Sequence, residues 1–113
     1  MTFIRTIFLA AILTTVFALH VYAVSFENIA GKWCGEATNY TFSHDTLIVD
    51  FVNGSPPMRF EVTRYEYSGG NVTVHWINEG EKTYTDFNEF SADGQTMVQM
   101  KTNVGPRRPF HRC

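Results

Sequence analysis

Two cysteines, four histidines and a basic carboxy-terminal cluster are the groups in this chain with the most chemistry to offer. Cys34 and Cys113 are the whole cysteine complement, and no C-x-x-C places them for redox turnover. Paired, they close a loop of about 80 residues, a constraint worth about 4–5 kcal/mol in the chain-entropy model. In an exported chain an even pair reads as one structural disulfide, and that pairing leaves no thiol to serve as a nucleophile. His20, His44, His75 and His111 show neither H-x-H nor H-x-x-x-H spacing, so no zinc site is expected. There is no G-x-S-x-G, and Gly69-Gly70 sits where a hairpin turn is expected, not at the strand-to-helix junction that a phosphate loop needs. Aspartates and glutamates are scattered over turns and polar strand positions, as on a solvated face. No catalytic residue, metal or cofactor is therefore expected, and the chain reads as non-enzymatic.

Recognition chemistry is better represented. Tyr65, Tyr67 and Tyr84, with Phe87 and Phe90 nearby, are more aromatic than a thin core needs. Tyrosine supplies contact area at low entropic cost, which makes these three a candidate binding surface. Cross-strand packing of aromatic pairs is the other use for such rings. The formal net charge is −2, and the basic residues of the tail, Arg107, Arg108, His111 and Arg112, form the sole positive cluster. Without a basic run through the body, nucleic acid is not an expected partner. Asn39, Asn53 and Asn71 each begin an N-glycosylation sequon, that of Asn53 being followed by proline.

The address is written in the first residues. Arg5, the apolar run Thr6 to Leu19 and the small-residue pattern of Val21-Tyr22-Ala23 form a secretory signal peptide, with cleavage expected after Ala23. The run falls short of the roughly 20 apolar residues that a spanning helix needs. Residues 1–23 are thus expected to be removed, and residues 24–113 to form one domain that is secreted or periplasmic, with no stable membrane insertion. At about 90 residues such a domain has a thin core, which a disulfide would reinforce.

The elements that must position these groups are strands. Trp33 to Phe42 reads as one bent strand or two short ones. Thr46 to Val52 puts Leu47, Val49 and Phe51 on one face. Met58 to Tyr67 alternates as Met58, Phe60 and Val62, then changes phase to Tyr65 and Tyr67. Asn71 to Ile77 gathers Val72, Val74 and Trp76, Lys82 to Phe90 alternates threonine with aromatics, and Gln95 to Lys101 is expected as the last strand. Period-two patterning with β-branched and aromatic residues is the strand signature. The phase change calls for a bulge near Thr63–Arg64, because a slip of one residue turns every side chain to the opposite face. Short Gly/Asn/Asp/Pro turns between these segments join antiparallel neighbours. The expected fold is all-β: a small antiparallel meander barrel, or a strongly curved sheet, of about six to seven strands. The one helical candidate is a short turn at Ser25–Ala30, with Ser25 as N-cap.

Gly31-Lys32-Trp33 at the entry of the first strand, followed by the strand-turn-strand Tyr40 to Val49, resembles the opening of lipocalin-like and avidin-like small β-barrels. The resemblance spans about half of the mature chain. It implies that an arginine late in the sequence lies over the G-x-W tryptophan. A Cys34–Cys113 bond would hold the tail beside Trp33, since bridged Cα atoms lie within about 7 Å. Arg108 or Arg112 is then placed to stack on Trp33 as a cation–π clasp. A ligand-holding interior needs about eight strands, and Phe42, Phe51, Phe60, Val62, Val74 and Trp76 have the bulk to fill a smaller barrel. Binding is therefore expected at an open end or on a sheet face.

Two functions fit these features. The first is a small exported binding module presenting a sheet face or barrel end to a protein or a small apolar ligand, a periplasmic inhibitor being one version. The second is a structural or envelope-accessory protein with no discrete ligand.

Overall fold

The structure is a computed structural model that describes residues 23–100 and 107–113. The expected leader lies outside the described residues except for Ala23, as does Lys101 at the end of the strand expected last. Eight strands form a closed antiparallel barrel in sequence order: β1 (Gly31–Cys34), β2 (Thr38–Phe42), β3 (Thr46–Phe51), β4 (Met58–Ser68), β5 (Asn71–Asn78), β6 (Glu81–Asn88), β7 (Thr96–Met100) and β8 (Arg108–Arg112). A single turn of helix, α1 (Phe26–Ile29), precedes them. At its start the Ser25 N–H donates to Asn28 Oδ1 at 2.7 Å, satisfying a backbone donor that the helix cannot.

The meander and the closed barrel follow the sequence pattern, but the strand count of six to seven is corrected to eight. Trp33–Phe42 divides into β1 and β2 around Gly35. The additional strand is β8, which the pattern hides because Pro109 lies inside it. A proline is tolerated here for a reason visible in the ladder. The Arg112 N–H bonds to the Gln95 carbonyl on the β7 side, whereas the Cys113 N–H bonds to that of Lys32 on the β1 side. By alternation the donor missing at Pro109 belongs to the β1 side. The β1–β8 pairing covers only Trp33↔Arg112 and Cys34↔His111, so no acceptor of that ladder is left waiting.

The phase change of β4 is a real irregularity: the β4–β5 register shifts between Val62 and Arg64. Val62 therefore points into the barrel, and two residues of alternation later Tyr65 and Tyr67 do as well. The core is made of Trp33, Phe42, Leu47, Val62, Val72, Val74, Phe87, Met97 and Phe110 from the strands, with Val24, Ile29 and Phe90 closing over them. Of the six side chains expected to fill the interior, Phe42, Val62 and Val74 belong to this core, while Phe51, Phe60 and Trp76 are only half-buried. The correction follows from position along the axis. These three lie near the end where β3 and β5 finish and β4 begins, and the deep bulk comes instead from Trp33, Phe87, Met97 and Phe110.

Candidate functional site

The two ends of the barrel are built differently. At the end where β1 begins, α1 folds across the opening, Val24 N–H donating to the Gly69 carbonyl at 2.8 Å. Trp33 is fully buried beneath it and donates its indole N–H to the Ile29 carbonyl at 2.9 Å. Arg112, registered opposite Trp33, lies over the indole with Cζ 4.1 Å from the ring centroid. Its guanidinium donates to the carbonyls of Ala30 at 2.6 Å, Asn28 at 2.7 Å and Gly94 at 3.2 Å. One planar fork thus ties the helix, the first strand and the β6–β7 loop together. Gly31 carries φ +102°, and a Cβ there would meet Arg112 Nη1 at 3.0 Å, so the glycine of G-x-W serves both the backbone and the arginine. The Cys34–Cys113 disulfide, with Cα atoms 5.1 Å apart, secures β8 to β1 at the same place. Of the two arginines expected over Trp33, Arg112 occupies the position and Arg108 lies toward the other end, four residues earlier on the same strand face.

The three tyrosines expected as one surface are not brought together. Tyr65 and Tyr67 lie on the inner face of β4 beyond the bulge, beside α1, where Phe26 stacks on His44 at 4.0 Å and tilts against Tyr65 at 5.4 Å. Tyr65 donates its hydroxyl to the Ser43 carbonyl. Burial, then the neighbouring Tyr67 and Asp45, push its pKa above the ordinary tyrosine value; burial and Glu27 push Tyr67 up as well. Tyr84 pairs with His75 across β5 and β6 and faces outward, 49% exposed. There His75 Nε2 lies 2.8 Å from Glu66 Oε1 and 3.2 Å from Arg64 Nη2. The hydrogen bond from His75, followed by the charge of Arg64, holds the Glu66 carboxyl below its usual range. The register of β5 against β6 decides this separation, and no alternation within one strand could have shown it.

At the other end, β2 and β8 begin and β7 finishes. Tyr40 of β2 meets Phe87 edge-on at 5.0 Å and Phe110 at 5.3 Å. Burial raises its pKa, with opposing contributions from a hydrogen bond with Thr38 and the charge of Arg108. Gln99 pairs with Phe87 on one side and Arg108 on the other, which puts all three on the inward face. The Gln99 Oε1 atom is buried and has no hydrogen-bond partner among the described residues. Trp76 packs on Phe60 at 4.4 Å and donates to Thr85 Oγ1 at 3.0 Å. Between the β1–β2 turn and the start of β8 runs a groove of about 410 Å³, bordered by Thr38, Arg108 and Phe110. Gly35 makes room beside it: a Cβ there would stand 2.4 Å from the Phe110 ring. Arg107 also borders the groove, with its guanidinium engaged by both oxygens of Glu89, at 2.6 and 2.9 Å.

This groove, with Tyr40 packed on Phe110 and Gln99 beside Arg108 in register, is the candidate site, and the sequence reading passed over Tyr40 and Gln99. The available signal was Gln99 alternating with Met97, a polar residue on an apolar face. It carried little weight because Thr96, Val98 and Met100 make the opposite face equally mixed. His44, His75 and His111 lie on separate elements, and among the described residues no three of His, Cys, Asp and Glu gather as metal ligands. Family models, curated proteins and solved structures all give no match to this chain.

Proposed function

We propose that this protein is an exported, non-enzymatic binding module of lipocalin-like type that takes a small ligand at the mouth of its barrel. The observation that carries the proposal is the contrast between the ends. At the end closed by α1 the inward polar groups are spent inside the fold, the Arg112 guanidinium on three carbonyls and the Trp33 ring, and the Tyr65 hydroxyl on the Ser43 carbonyl. At the other end the inward positions hold a guanidinium, a phenol and an amide oxygen that has no partner among the described residues. Convergent polar groups in an aromatic-lined recess are the usual makeup of a ligand site. Export is supported by the leader pattern through Ala23 and by the disulfide. No helix among the described residues is long and apolar enough to cross a membrane.

The test is native mass spectrometry of the disulfide-bonded chain purified from an oxidising secretory compartment, with NMR of the same sample. A reproducible added mass, lost on denaturation, with shifts at Phe110 and Tyr40 when it is removed, is the expected result. A bare oxidised chain whose mouth resonances ignore a small-molecule extract of that compartment overturns the proposal in favour of a structural role.

A further inference from the structure

We infer that the recess built by the β4 bulge is a second binding site, one that takes a phosphate group, as the free ion or on a small organic phosphate. It stands apart from the groove beside Arg108 and does not depend on it. In the β4–β5 ladder Val62 faces Trp76 and Arg64 faces His75, so Thr63 is the additional residue between them. An added residue re-aims the side chains beside it. Here the Thr63 hydroxyl donates to the His75 carbonyl at 3.2 Å, and Arg64 Nη2 comes to 3.2 Å from His75 Nε2. On the other side of β5, Thr83 pairs with Trp76 and Lys82 with Ile77. Thr63, Arg64, His75, Trp76, Lys82 and Thr83 together border one recess of about 270 Å³.

Its lining carries one sign of charge. A guanidinium, an ammonium, an imidazole and two hydroxyls border it, and among the described residues no carboxylate does. The chain as a whole has a formal net charge of −2. In the other recesses acids and bases are mixed: Glu36 with Arg108, Glu79 with Arg59, and Asp45 and Glu61 with Arg59 again. Lys82 has no carboxylate within ion-pair distance among the described residues. Arg64 meets Glu66 at 3.6 Å, with both side chains more than half exposed, and such a pair holds a guanidinium only weakly. The two cations arrive from β4 and β6, on either side of β5. A carboxylate is planar and is matched by a single fork. Donors converging from two strands suit an anion whose oxygens point in several directions, as those of a phosphate group do. The recess is smaller than the roughly 300 Å³ at which sites for larger ligands begin, so it holds the phosphate and little of what carries it.

The experiment titrates the isotope-labelled, disulfide-bonded chain with inorganic phosphate, glycerol 3-phosphate and acetate at constant pH and ionic strength. It follows the backbone amides of Arg64, His75 and Lys82 and the Trp76 indole N–H. Phosphate is expected to saturate with Kd below about 10 mM, and acetate to give no saturable shift at these residues. Lys82→Gln and Arg64→Gln should each weaken phosphate binding by at least about tenfold, as a charged hydrogen-bonding partner is lost. Both side chains are exposed, and thermal melting shows that the variants fold. Arg108→Gln, in the groove, should bind phosphate as the parent does. Tighter binding of glycerol 3-phosphate assigns the site to an organic phosphate, and equal or weaker binding assigns it to the free ion. Absence of saturable phosphate shifts overturns the inference. So do equal saturation by acetate, shifts that survive in both Lys82→Gln and Arg64→Gln, and loss of binding in Arg108→Gln, which would move the anion to the groove.

Discussion

Replacing Arg112 by methionine is the sharpest perturbation of this fold, because it removes the guanidinium and keeps most of the stem that covers Trp33. Three carbonyls, of Asn28, Ala30 and Gly94, lose their donor, and the indole loses a cation at 4.1 Å. Hydrogen bonds to charged groups contribute about 1.5–3 kcal/mol each, and a half-exposed site leaves water able to replace part of that. Taking about 1 kcal/mol per bond, and about 1 kcal/mol for the ring contact, the variant should lose about 3–5 kcal/mol. A domain of this size shifts about 4–8 °C in Tm per kcal/mol, so a fall of about 12–40 °C is expected. The assay is urea and thermal unfolding of the disulfide-bonded chain, followed by tryptophan fluorescence. Arg112→Lys keeps the charge but not the fork and should fall between the two. Arg108→Met, at the exposed rim, should stay within about 0.5 kcal/mol of the parent. A loss under about 1 kcal/mol in Arg112→Met would refute the reasoning, showing that water satisfies those carbonyls and that the clasp holds nothing.

Three further outcomes are expected. Gln99→Met removes a buried acceptor with no partner among the described residues and should raise stability by about 1–2 kcal/mol, read as a higher urea midpoint at unchanged slope; no gain would mean that the oxygen is already satisfied. Gly35→Ala drives a methyl into Phe110 and the Thr38 carbonyl and should cost about 1–3 kcal/mol, with the Phe110 ring resonances displaced in NMR. Tyr40 and Tyr65 have raised pKa values in the folded chain, Tyr65 chiefly by burial. Above about pH 10 the unfolded chain releases those protons while the folded chain keeps them, so stability must fall as pH rises. Tyr65→Phe, weakened at neutral pH by loss of its bond to Ser43, should show a shallower alkaline decline, and parallel declines would contradict the assignment.

How much of this was legible depends on whether a property lives within one strand or between strands. The bulge in β4 was legible because Val62 and Tyr65 cannot share a face at period two without an extra residue between them. The clasp residues were legible in type, but Arg108 and Arg112 are four apart on one strand and share its face. Only the register Trp33↔Arg112 decides which of them reaches the indole. β8 was hidden because proline and three basic residues imitate a loop, and the gap in the ladder that excuses Pro109 exists only in the closed barrel. Tyr65, Tyr67 and Tyr84 were grouped by type, yet the β5–β6 pairing sets Tyr84 on the opposite surface. Tyr40 and Gln99 are brought to one end of the barrel only when β2, β6, β7 and β8 meet.

The seam between β1 and β8 joins residues separated by 79 positions, and it governs the order in which this molecule can assemble. Each of the other pairings is between consecutive strands and can form as soon as its hairpin exists. Until the segment Arg108–Cys113 arrives, β1 and β7 each present an unsatisfied edge, and nothing covers Trp33 with a guanidinium. Long-range pairing of this kind forms late, because the loop must close before its contacts contribute. On the export route proposed above, a chain threaded through a membrane in an extended state would keep its barrel unclosed in transit and close it on the far side, where an oxidant can fix the seam. Shortened ahead of Arg108, the same chain would expose two sticky edges, the condition under which small β proteins pair with copies of themselves.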